Sequence, residues 1–477
     1  MGQEDPSGAM VYIRVPKAMQ AQIQALVQMA TETPSFREGE GLAGEEREVY
    51  QQTDRLGDLV IAQRLQAVAE SPEIREAGRE LARAGGGRVK DRGHRTVPVM
   101  TMRGGEIMLR TAYFSRNCDE RRGRGGCYPV LVLLGIHGCR RYYTPGLTKH
   151  VVLLTTAMGS MEEARRWLAE AGIGLCVGTI QSMTYEFARR ARASQQAGSI
   201  KFDQRAAGRR VVVSVDGGRI RVRKKKRGRK SRKGRTPYHS DWREPKLLMI
   251  YVIDETGRTD RSWTPVIDGL LSSQGDGADA IFSLLKHYLR ELGIDQADTI
   301  AFVADGARWI WNRVRELIDS LGLSEDQVFE VVDFYHAVEH LGDVAKCKTK
   351  WSAPQRKRWV SKQRRRLLKG RVEEVLEAID SISRGCRSKD MQTERDYFHN
   401  NAARMRYRAT KRRRLPIGSG AIESAIRRVV NLRLKGAGIF WYEESANAML
   451  LLRSYYKAGR TEQLVSLALT TPLQEAA

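Results

Sequence analysis

The sequence predicts an α/β protein with a mixed sheet flanked by helices, interrupted by an all-α insertion and preceded by helical and small β-hairpin modules. Three observations predict this architecture. Short apolar runs typical of strands alternate with amphipathic helical patterns between residues 209 and 337. A very basic stretch without strand patterns follows, from 338 to about 412. A last helical pattern covers 419–434.

The segments before this core predict three smaller modules. Residues 1–90 carry apolar residues at helical spacing. In 91–145 the stretch "TVPVMTMRGGEIMLRTAYF" alternates around a Gly-Gly turn, which predicts a β-hairpin. In 146–205 a helix, a Gly-containing turn and a second helix have the outline of a helix-turn-helix, and both DNA recognition and plain packing explain it.

The core pattern begins with "RRVVVSVDGGRIRVR", which predicts a strand, a Gly-Gly turn and a second strand. "KLLMIYVID", "TIAFVADG" and "VFEVVDFYH" predict three more strands, and helical patterns precede and follow the fourth strand. Three strands joined by short links, then alternating helices and strands, are the order of an RNase H-like core. In that fold the first and fourth strands lie side by side at the centre of the sheet.

These patterns divide the chain into segments with different expected roles. The expected divisions are a helical domain at 1–90, a β-hairpin module at 91–145, a helix-turn-helix-like segment at 146–205, the first part of the core at 206–345, a basic helical insertion at 346–412, the final helices of the core at 413–460 and a C-terminal tail at 461–477.

The charge of the chain indicates an anionic partner. Lys and Arg number 82 against 56 acidic residues, which gives a net charge of +26. Nucleic acid is the first candidate, and no apolar run approaches the length of a membrane-spanning helix. We therefore expect a cytoplasmic protein that works on the nucleoid.

The densest basic segment covers 219–235, where 12 of 17 residues are Lys or Arg. We expect it, together with basic residues near 412 and 427, to contact DNA phosphates. The predicted DNA contacts are Arg223, Lys224, Lys225, Lys226, Arg227, Arg229, Lys230, Arg412, Arg413, Arg427 and Arg428. Trp441, in the Gly-rich stretch "GIFWYEE", is a further candidate for stacking on a base, whereas Trp309 and Trp311 are expected to pack in the core.

Six scattered cysteines do not indicate a disulfide framework. Cys118, Cys127, Cys139 and His137 are the residues that a metal site would use, but their spacing is not that of a zinc motif. Free thiols are the simpler expectation.

Glu423 is the only carboxylate between Asp396 and Glu443, an interval that holds eleven Lys and Arg residues. An ion pair with Arg427, four residues later, is one explanation. A capping box fails, because the residue three positions after Ser419 is Ile422. Metal binding is the third explanation, and it needs partner carboxylates.

Two such partners end predicted strands. Asp216 closes "VVVSVDGG" and Asp305 closes "TIAFVADG". Each alone is an ordinary Asp-Gly turn signal. If the first and fourth strands are neighbours, however, the two carboxylates meet, and a helix packed after the last strand can add Glu423. Three hard oxygen ligands of this kind suit two Mg²⁺ ions, with Mn²⁺ as a substitute.

Five ordered segments then resemble a known family: "VSVDGGRIRVR", "DWREPKLLMIYVIDETG", "FVADGARWIWN", "DFYHAVEHL" and "LPIGSGAIESAIRRVVNLRLKGAGIFW". Over about 110–455 the chain resembles bacterial insertion-sequence transposases of the DDE class, of the ISKra type related to mutator-like elements. The resemblance implies Asp216, Asp305 and Glu423 as the catalytic, metal-binding triad.

The same resemblance implies that "DFYH" is a D-x-x-H signature, which places Asp333 and His336 near the active site as auxiliary residues. A structural histidine is the alternative. Relatives often carry paired cysteines before the core. This chain has single ones there, so bound zinc is not expected.

The expected activity is Mg²⁺-dependent DNA cleavage at the ends of an insertion sequence, followed by strand transfer into target DNA. The expected partners are double-stranded DNA, as terminal inverted repeats and target, and further copies of the chain in a dimer or larger assembly. Two alternatives stay open, a structure-selective nuclease with the same core and a catalytically silent DNA-binding protein.

Overall fold

The structure, a computed structural model, describes residues 15–32, 41–84, 89–116, 126–138, 141–232, 234, 236–272 and 277–469. The chain divides into two compact units. One unit comprises Met1–Phe187 with Leu469–Ala477, and the other comprises Ala188–Ala468. In the described residues, no helix is both long and apolar enough to cross a membrane.

The first unit combines helices with a five-stranded sheet. Its helices are α1 (Lys17–Thr31), α2 (Gly41–Glu70), α3 (Pro72–Ala84), α4 (Pro129–Leu133), α5 (Pro145–Ala157), α6 (Met161–Glu170) and α7 (Val177–Gln196), the last of which continues into the second unit. Its strands are β1 (Val89–Met100), β2 (Glu106–Arg116), β3 (Gly126–Cys127), β4 (His137–Gly138) and β5 (Tyr142–Tyr143), in the order β3-β2-β1-β5-β4.

The predicted hairpin is present as β1 and β2, which pair antiparallel with Val97 opposite Leu109. Gly104 has a φ of +86° in the connecting turn, a conformation that favours glycine. Alternate residues such as Val97, Val99 and Leu109 face a buried core. The predicted helix, turn and helix are also present as α6 and α7, and whether they recognise DNA stays a prediction.

The second unit contains a mixed five-stranded sheet and a separate two-stranded ribbon. The strands are β6 (Arg210–Gly217), β7 (Ile220–Lys225), β8 (Tyr238–Arg243), β9 (Lys246–Ile253), β10 (Val266–Leu270), β11 (Thr299–Ala304) and β12 (Val328–Val332). The sheet order is β10-β9-β6-β11-β12, with β9 antiparallel to β6 and to β10, and with β6, β11 and β12 parallel. The first and fourth predicted strands, β6 and β11, are therefore neighbours, as expected.

The strand after the Gly-Gly turn lies elsewhere than expected. We expected residues 220–225 to form the second strand of the sheet, but β7 pairs with β8 in the ribbon, and β9 takes the place beside β6. The physical reason is polarity. Residues 211–215 of β6 are all buried, whereas β7 places Arg221 and Arg223 between its apolar residues, so one of its faces needs solvent. The sequence analysis also missed β8 and β10.

Helices flank this sheet and form the insertion. They are α8 (Gly277–Glu291), α9 (Arg308–Leu321), α10 (Phe334–Lys346), α11 (Ala353–Leu368), α12 (Val372–Ser383), α13 (Lys389–Asn401), α14 (Tyr407–Arg412), α15 (Gly420–Ile426), α16 (Leu432–Leu434), α17 (Glu443–Ala458) and α18 (Thr461–Leu469). Helix α15 packs on β6 and β9, and α17 packs on β10. Residues 346–412, all of which are described, contain no strand, as predicted.

The predicted helix at 419–434 is interrupted by a π turn, Arg427–Asn431, between α15 and α16. Such a turn inserts one residue and leaves backbone carbonyls without their usual partners. The buried Arg453 of α17 supplies donors, with Nε 3.0 Å from the Val429 carbonyl oxygen and a second nitrogen bonded to the Arg428 carbonyl. Val429 and Val430, both within the π turn, are buried.

Candidate active site

Three parallel strands end side by side with an aspartate each. Asp216 is the penultimate residue of β6, and Asp305 and Asp333 directly follow β11 and β12. The register aligns them: Phe302 pairs with Val213, an offset of 89 positions that also separates Asp305 from Asp216. The β11–β12 ladder continues across this end, because the Asp333 amide donates to the Ala304 carbonyl at 2.8 Å. We call this row of aspartates the acid edge.

Asp216 and Asp305 each use one carboxylate oxygen for a backbone contact. The Gly217 amide donates to Asp216 Oδ1 at 2.6 Å, and the Ala307 amide donates to Asp305 Oδ1 at 3.1 Å. In the described part of the chain, no hydrogen bond or ion pair reaches the second oxygen of either group. Both carboxylates are therefore oriented by the backbone and keep one oxygen available.

Asp333 differs, because it is fully buried and saturated with donors. Its Oδ1 accepts from the amides of Tyr335 and His336 and thereby caps α10. Its Oδ2 accepts from both the amide and the hydroxyl of Ser419. Asp333 therefore connects the start of α10 to the residue before α15, which is a positioning role.

Ser419 passes this connection on to Glu423. The Ser419 hydroxyl lies 2.9 Å from Glu423 Oε1, and Ser419 itself is buried. A hydroxyl carries one proton, so it donates to either Asp333 or Glu423 at any moment. Glu423 forms no ion pair with Arg427 within 4.0 Å among the described residues, so the structure does not contain the simplest alternative explanation for this glutamate.

The electrostatics of the acid edge are those of closely spaced acids. Burial raises the pKa of Asp216 to about 6, and the charges of Asp305 and Glu423 act in the same direction. Burial also raises the pKa of Asp305. The imidazole of His336 lies near enough to oppose both pKa shifts. The structure thus brings Asp216, Asp305, Glu423 and His336 into one electrostatic neighbourhood.

The triad is open rather than closed on a single point. Across the described ranges, only His340, Asp343 and Glu394 form a group of three ligand-type residues whose atoms all lie within 4.8 Å of one another. Asp216, Asp305 and Glu423 are more widely spaced.

Two residues that the sequence analysis did not single out lie beside Asp305. Lys246 lowers the pKa of Asp305 and Glu244 raises it, and the two form an ion pair at 2.6 Å. The Lys246 ammonium lies 3.7 Å from the centre of the Trp309 ring. Glu244 also packs on Gly217, where an added Cβ would lie 2.0 Å from Glu244 Oε1. Both residues lie in the segment "DWREPKLL", but neither Glu244 nor Lys246 matched a pattern that indicates a catalytic or binding role.

Tyr397 of α13 is a further neighbour of Asp305. An added Cβ at Gly306 would lie 2.1 Å from the Tyr397 ring, so this glycine permits the close approach. Burial raises the pKa of Tyr397, with a smaller contribution from the negative charge of Asp305. Tyr397 follows Asp305 by 92 positions, and nothing in the sequence pattern indicated the contact.

The predicted DNA-contact residues lie mostly at the surface. Arg227, Arg229, Lys230, Lys224, Lys225 and Lys226 on and after β7 are exposed, as are Arg412, Arg413 and Arg427. Arg223 and Arg428 are half-buried. The Arg223 guanidinium lies 4.1 Å from the centre of the Tyr442 ring, and the Arg413 guanidinium lies 4.5 Å from the centre of the Phe329 ring.

Trp441 does not have the exposed position expected of a base-stacking residue. Its side chain is buried, its Nε1 donates to the Leu434 carbonyl at 3.1 Å, and its backbone bridges to Val222 of β7. The Trp441 ring packs between the helices and the ribbon, and burial of its apolar surface explains this position. Trp311 is likewise buried, as expected, and its Nε1 donates to the Asp305 carbonyl at 2.6 Å.

A polar cleft of 600 Å³ opens beside Asp216. It is lined by Gly217, Gly218, Arg219, Trp242, Arg243, Glu244, Ile426, Asn431 and Lys435. Three of these residues are cationic, so the cleft next to Asp216 carries positive charge. Of the cysteines considered for metal binding, Cys127 is half-buried in β3, and Cys118 and Cys139 lie outside the described residues.

Comparisons with protein-family models, with curated proteins and with solved structures found no match. The functional assignment therefore rests on the sequence patterns and on the geometry of the acid edge.

Proposed function

We propose that the chain is a DNA transposase of the DDE class, which cleaves DNA at the ends of an insertion sequence and transfers the freed strand into target DNA. One observation carries the proposal: Asp216, Asp305 and Glu423 share one electrostatic neighbourhood although 89 and 118 positions separate them. Asp216 and Asp305 are half-buried acids from distant segments, and such carboxylates repel each other and cost free energy to desolvate.

The order of the strands supports an RNase H-like core as the framework. Three antiparallel strands precede two parallel strands, and the first and fourth predicted strands are adjacent. The acids stand at the carboxyl ends of β6 and β11, where open α/β sheets place their ligands. A helix packed on β6 brings in Glu423.

The acids present fit hard divalent cations. Asp216 and Asp305 keep one oxygen without a hydrogen-bond donor, and no ion pair among the described residues neutralises Asp216, Asp305 or Glu423. Mg²⁺, or Mn²⁺ as a substitute, prefers such carboxylate oxygens and leaves other positions to water and substrate phosphate. Bound there, two ions would supply charge stabilisation for the attacking and leaving oxygens of a phosphoryl transfer.

The remaining residues have roles that follow from their contacts. Asp333 and Ser419 orient Glu423, and Lys246 adds positive charge beside Asp305. The imidazole of His336 lies near Asp216 and Asp305. The exposed Lys and Arg residues of the ribbon would bind the phosphate backbone of double-stranded DNA. Because two element ends must be joined, we expect a homodimer or a larger homo-oligomer.

Two other functions are distinguishable from this one. A structure-selective nuclease with the same core would hydrolyse DNA without joining it. A silent DNA-binding protein would have no need to keep Asp216 and Asp305 unpaired at the cost of raised pKa values. The unpaired state of Asp216 and Asp305 therefore favours an enzyme over a silent DNA-binding protein. A strand-transfer assay then distinguishes the transposase from the nuclease.

The test uses labelled duplexes cut from the DNA that flanks the coding sequence, incubated with full-length protein, Mn²⁺ or Mg²⁺ and supercoiled plasmid. We expect metal-dependent nicking and covalent transfer of label to the plasmid. Asp216→Asn, Asp305→Asn and Glu423→Gln should each reduce both products by at least about 10³-fold, equal to about 4 kcal/mol of transition-state stabilisation. Asp295→Asn, at an exposed aspartate in a short 3₁₀ turn, is the matched control and should be fully active.

Nicking without transfer would replace the transposase by the nuclease. Binding of these duplexes without nicking, at any metal concentration, would favour the silent DNA-binding protein. Equal activity of the three variants and the control would mean that Asp216, Asp305 and Glu423 do not take part in the reaction.

A further inference from the structure

Side chains of types that can bind metal lie between α10 and α13, two packed helices in the second unit. We call this contact the seam. His340 and Asp343 belong to α10, and Glu394 belongs to α13. His340 Nδ1 lies 2.7 Å from Glu394 Oε2, and one ligand atom of each of the three residues lies within 4.8 Å of the others. All three residues are half-buried, so the group is neither fully exposed to solvent nor buried in the core.

The same seam continues toward two thiols. Cys347 follows α10 and Cys386 precedes α13, and both are half-buried and free. Burial raises the pKa of the Cys347 thiol, and Asp390, Glu394, Cys386 and Asp343 act in the same direction. The seam thus pairs residue 340 with 394 at one end and brings 347 near 386 at the other, as antiparallel helices do. Every residue in this set is of a type that binds metal.

The existing contacts do not neutralise the seam. Lys346 pairs with Asp343 at 2.6 Å, but the lysine side chain is 72% exposed. An exposed pair of this kind contributes little to stability, so Asp343 can exchange it for a stronger ligand. His340 and Asp343 lie three positions apart on one helix face, which allows both to reach the same ion.

We propose that His340, Asp343 and Glu394 bind one Zn²⁺ ion that fixes α13 to α10. The chemistry of the donors selects the metal. An imidazole nitrogen with two carboxylate oxygens suits Zn²⁺, which accepts nitrogen, oxygen and sulfur, and suits Mg²⁺ poorly, because Mg²⁺ prefers oxygen alone. Three protein ligands leave a fourth position of a tetrahedral ion for water. This site is separate from the acid edge and does not depend on the proposed function.

The site has a structural consequence for the acid edge. The His340 ring stacks on Tyr397, with the ring centres 3.7 Å apart. Tyr397 in turn packs against Gly306, the residue after Asp305. An ion that fixes the His340 ring would therefore hold Tyr397 in its place beside Asp305, which makes the proposed Zn²⁺ a structural support of that strand end.

The test measures zinc directly in the full-length chain. The protein is stripped with EDTA, exchanged into buffer with excess Mg²⁺ to occupy the acid edge, and equilibrated with Zn²⁺ before elemental analysis and thermal unfolding. We expect about one Zn²⁺ per chain and a higher Tm, because a ligand that binds only the folded state stabilises it. Glu394→Gln and His340→Ala should each weaken zinc binding at least about tenfold.

Matched variants separate this site from other sources of zinc. His399→Ala removes a histidine on the same helix that contacts Asp380 at 3.0 Å, and it should leave zinc binding unchanged. Asp216→Asn with Glu423→Gln should also leave it unchanged. Glu394→Gln is nearly isosteric, so a far-ultraviolet circular dichroism spectrum equal to that of the parent shows that it folds.

Three outcomes would overturn the proposal. One is no zinc uptake by the parent chain at micromolar Zn²⁺. Another is uptake by Glu394→Gln equal to that of the parent. The third is loss of zinc in a Cys347→Ser, Cys386→Ser double variant with binding retained in His340→Ala, because the thiols would then be the ligands.

Discussion

Two carboxylates on one sheet have opposite surroundings. Asp268 of β10 is fully buried, and it accepts from both terminal nitrogens of Arg192, from Gln195, from Tyr288 and from the Gly269 amide. Asp216 of β6 accepts one hydrogen bond, from the Gly217 amide, among the described residues. A fully satisfied acid fixes the packing of helices on the sheet. An acid left unsatisfied at a strand end is available to a ligand.

The first way to test the difference between these two acids is to remove Asp268. We expect Asp268→Ala to reduce the free energy of unfolding by about 3–5 kcal/mol, because the largely buried Arg192 loses its carboxylate partner. Chemical denaturation of the full-length chain measures the loss. Asp295→Ala, at an exposed aspartate, is the control. A loss equal to that of the control would mean that the buried network does not stabilise the fold.

The second way is to weaken the connection between Asp333, Ser419 and Glu423. Ser419→Ala removes the hydroxyl that lies 2.9 Å from Glu423 Oε1 and leaves the backbone amide bonded to Asp333. We expect metal-dependent DNA cleavage to fall about 10–100-fold, the usual effect of removing a group that orients a metal ligand. The apparent affinity for Mn²⁺ should fall in parallel.

Ser424→Ala, at an exposed serine of α15 five positions after Ser419, is the control for this variant. Unchanged metal affinity in Ser419→Ala would show that Ser419 does not position Glu423.

The third way uses the pH dependence of stability. The pKa of Asp216 is about 6 in the folded chain, above its ordinary value, so folding favours the protonated form. The stability that protonated Asp216 contributes to the folded chain is fully present at low pH and is lost as the pH rises through about 6. We therefore expect metal-free Asp216→Asn to be more stable than the parent at pH 7.5, by up to about 3 kcal/mol.

Thermal unfolding in EDTA at pH 4 and pH 7.5 measures this difference. The advantage of Asp216→Asn should vanish at pH 4, where Asp216 is protonated in the folded parent. Mg²⁺ at pH 7.5 should stabilise the parent and not the variant. An advantage of equal size at both pH values would mean that charge at Asp216 does not limit stability.

Much of the fold was predictable because its signals are local. Apolar runs located β6, β9, β11 and β12, and the Gly-Gly turn located the β1–β2 hairpin. The strand β7 was predicted, but its pairing with β8 in a separate ribbon was not, because the 12 basic residues of 219–235 give no signal for a partner strand. The acid edge followed from strand ends, and Glu423 followed from its isolation in a basic segment. Lys246, Ser419 and Tyr397 lay outside any such pattern.

Local sequence patterns identified β6, β9, β11 and β12, the acids that end β6 and β11, and the strongly basic character of the chain. These properties depend on composition and on spacing along the chain. Only the tertiary structure decided that β9 rather than β7 lies beside β6, that Trp441 is buried, and that Asp333 and Ser419 link α10 to Glu423. Tertiary contacts also decide which carboxylates have hydrogen-bond donors for both oxygens and which do not. The physical reason is that hydrogen-bond donors for a buried carboxylate come from segments distant in sequence, as Arg192 and Tyr288 do for Asp268.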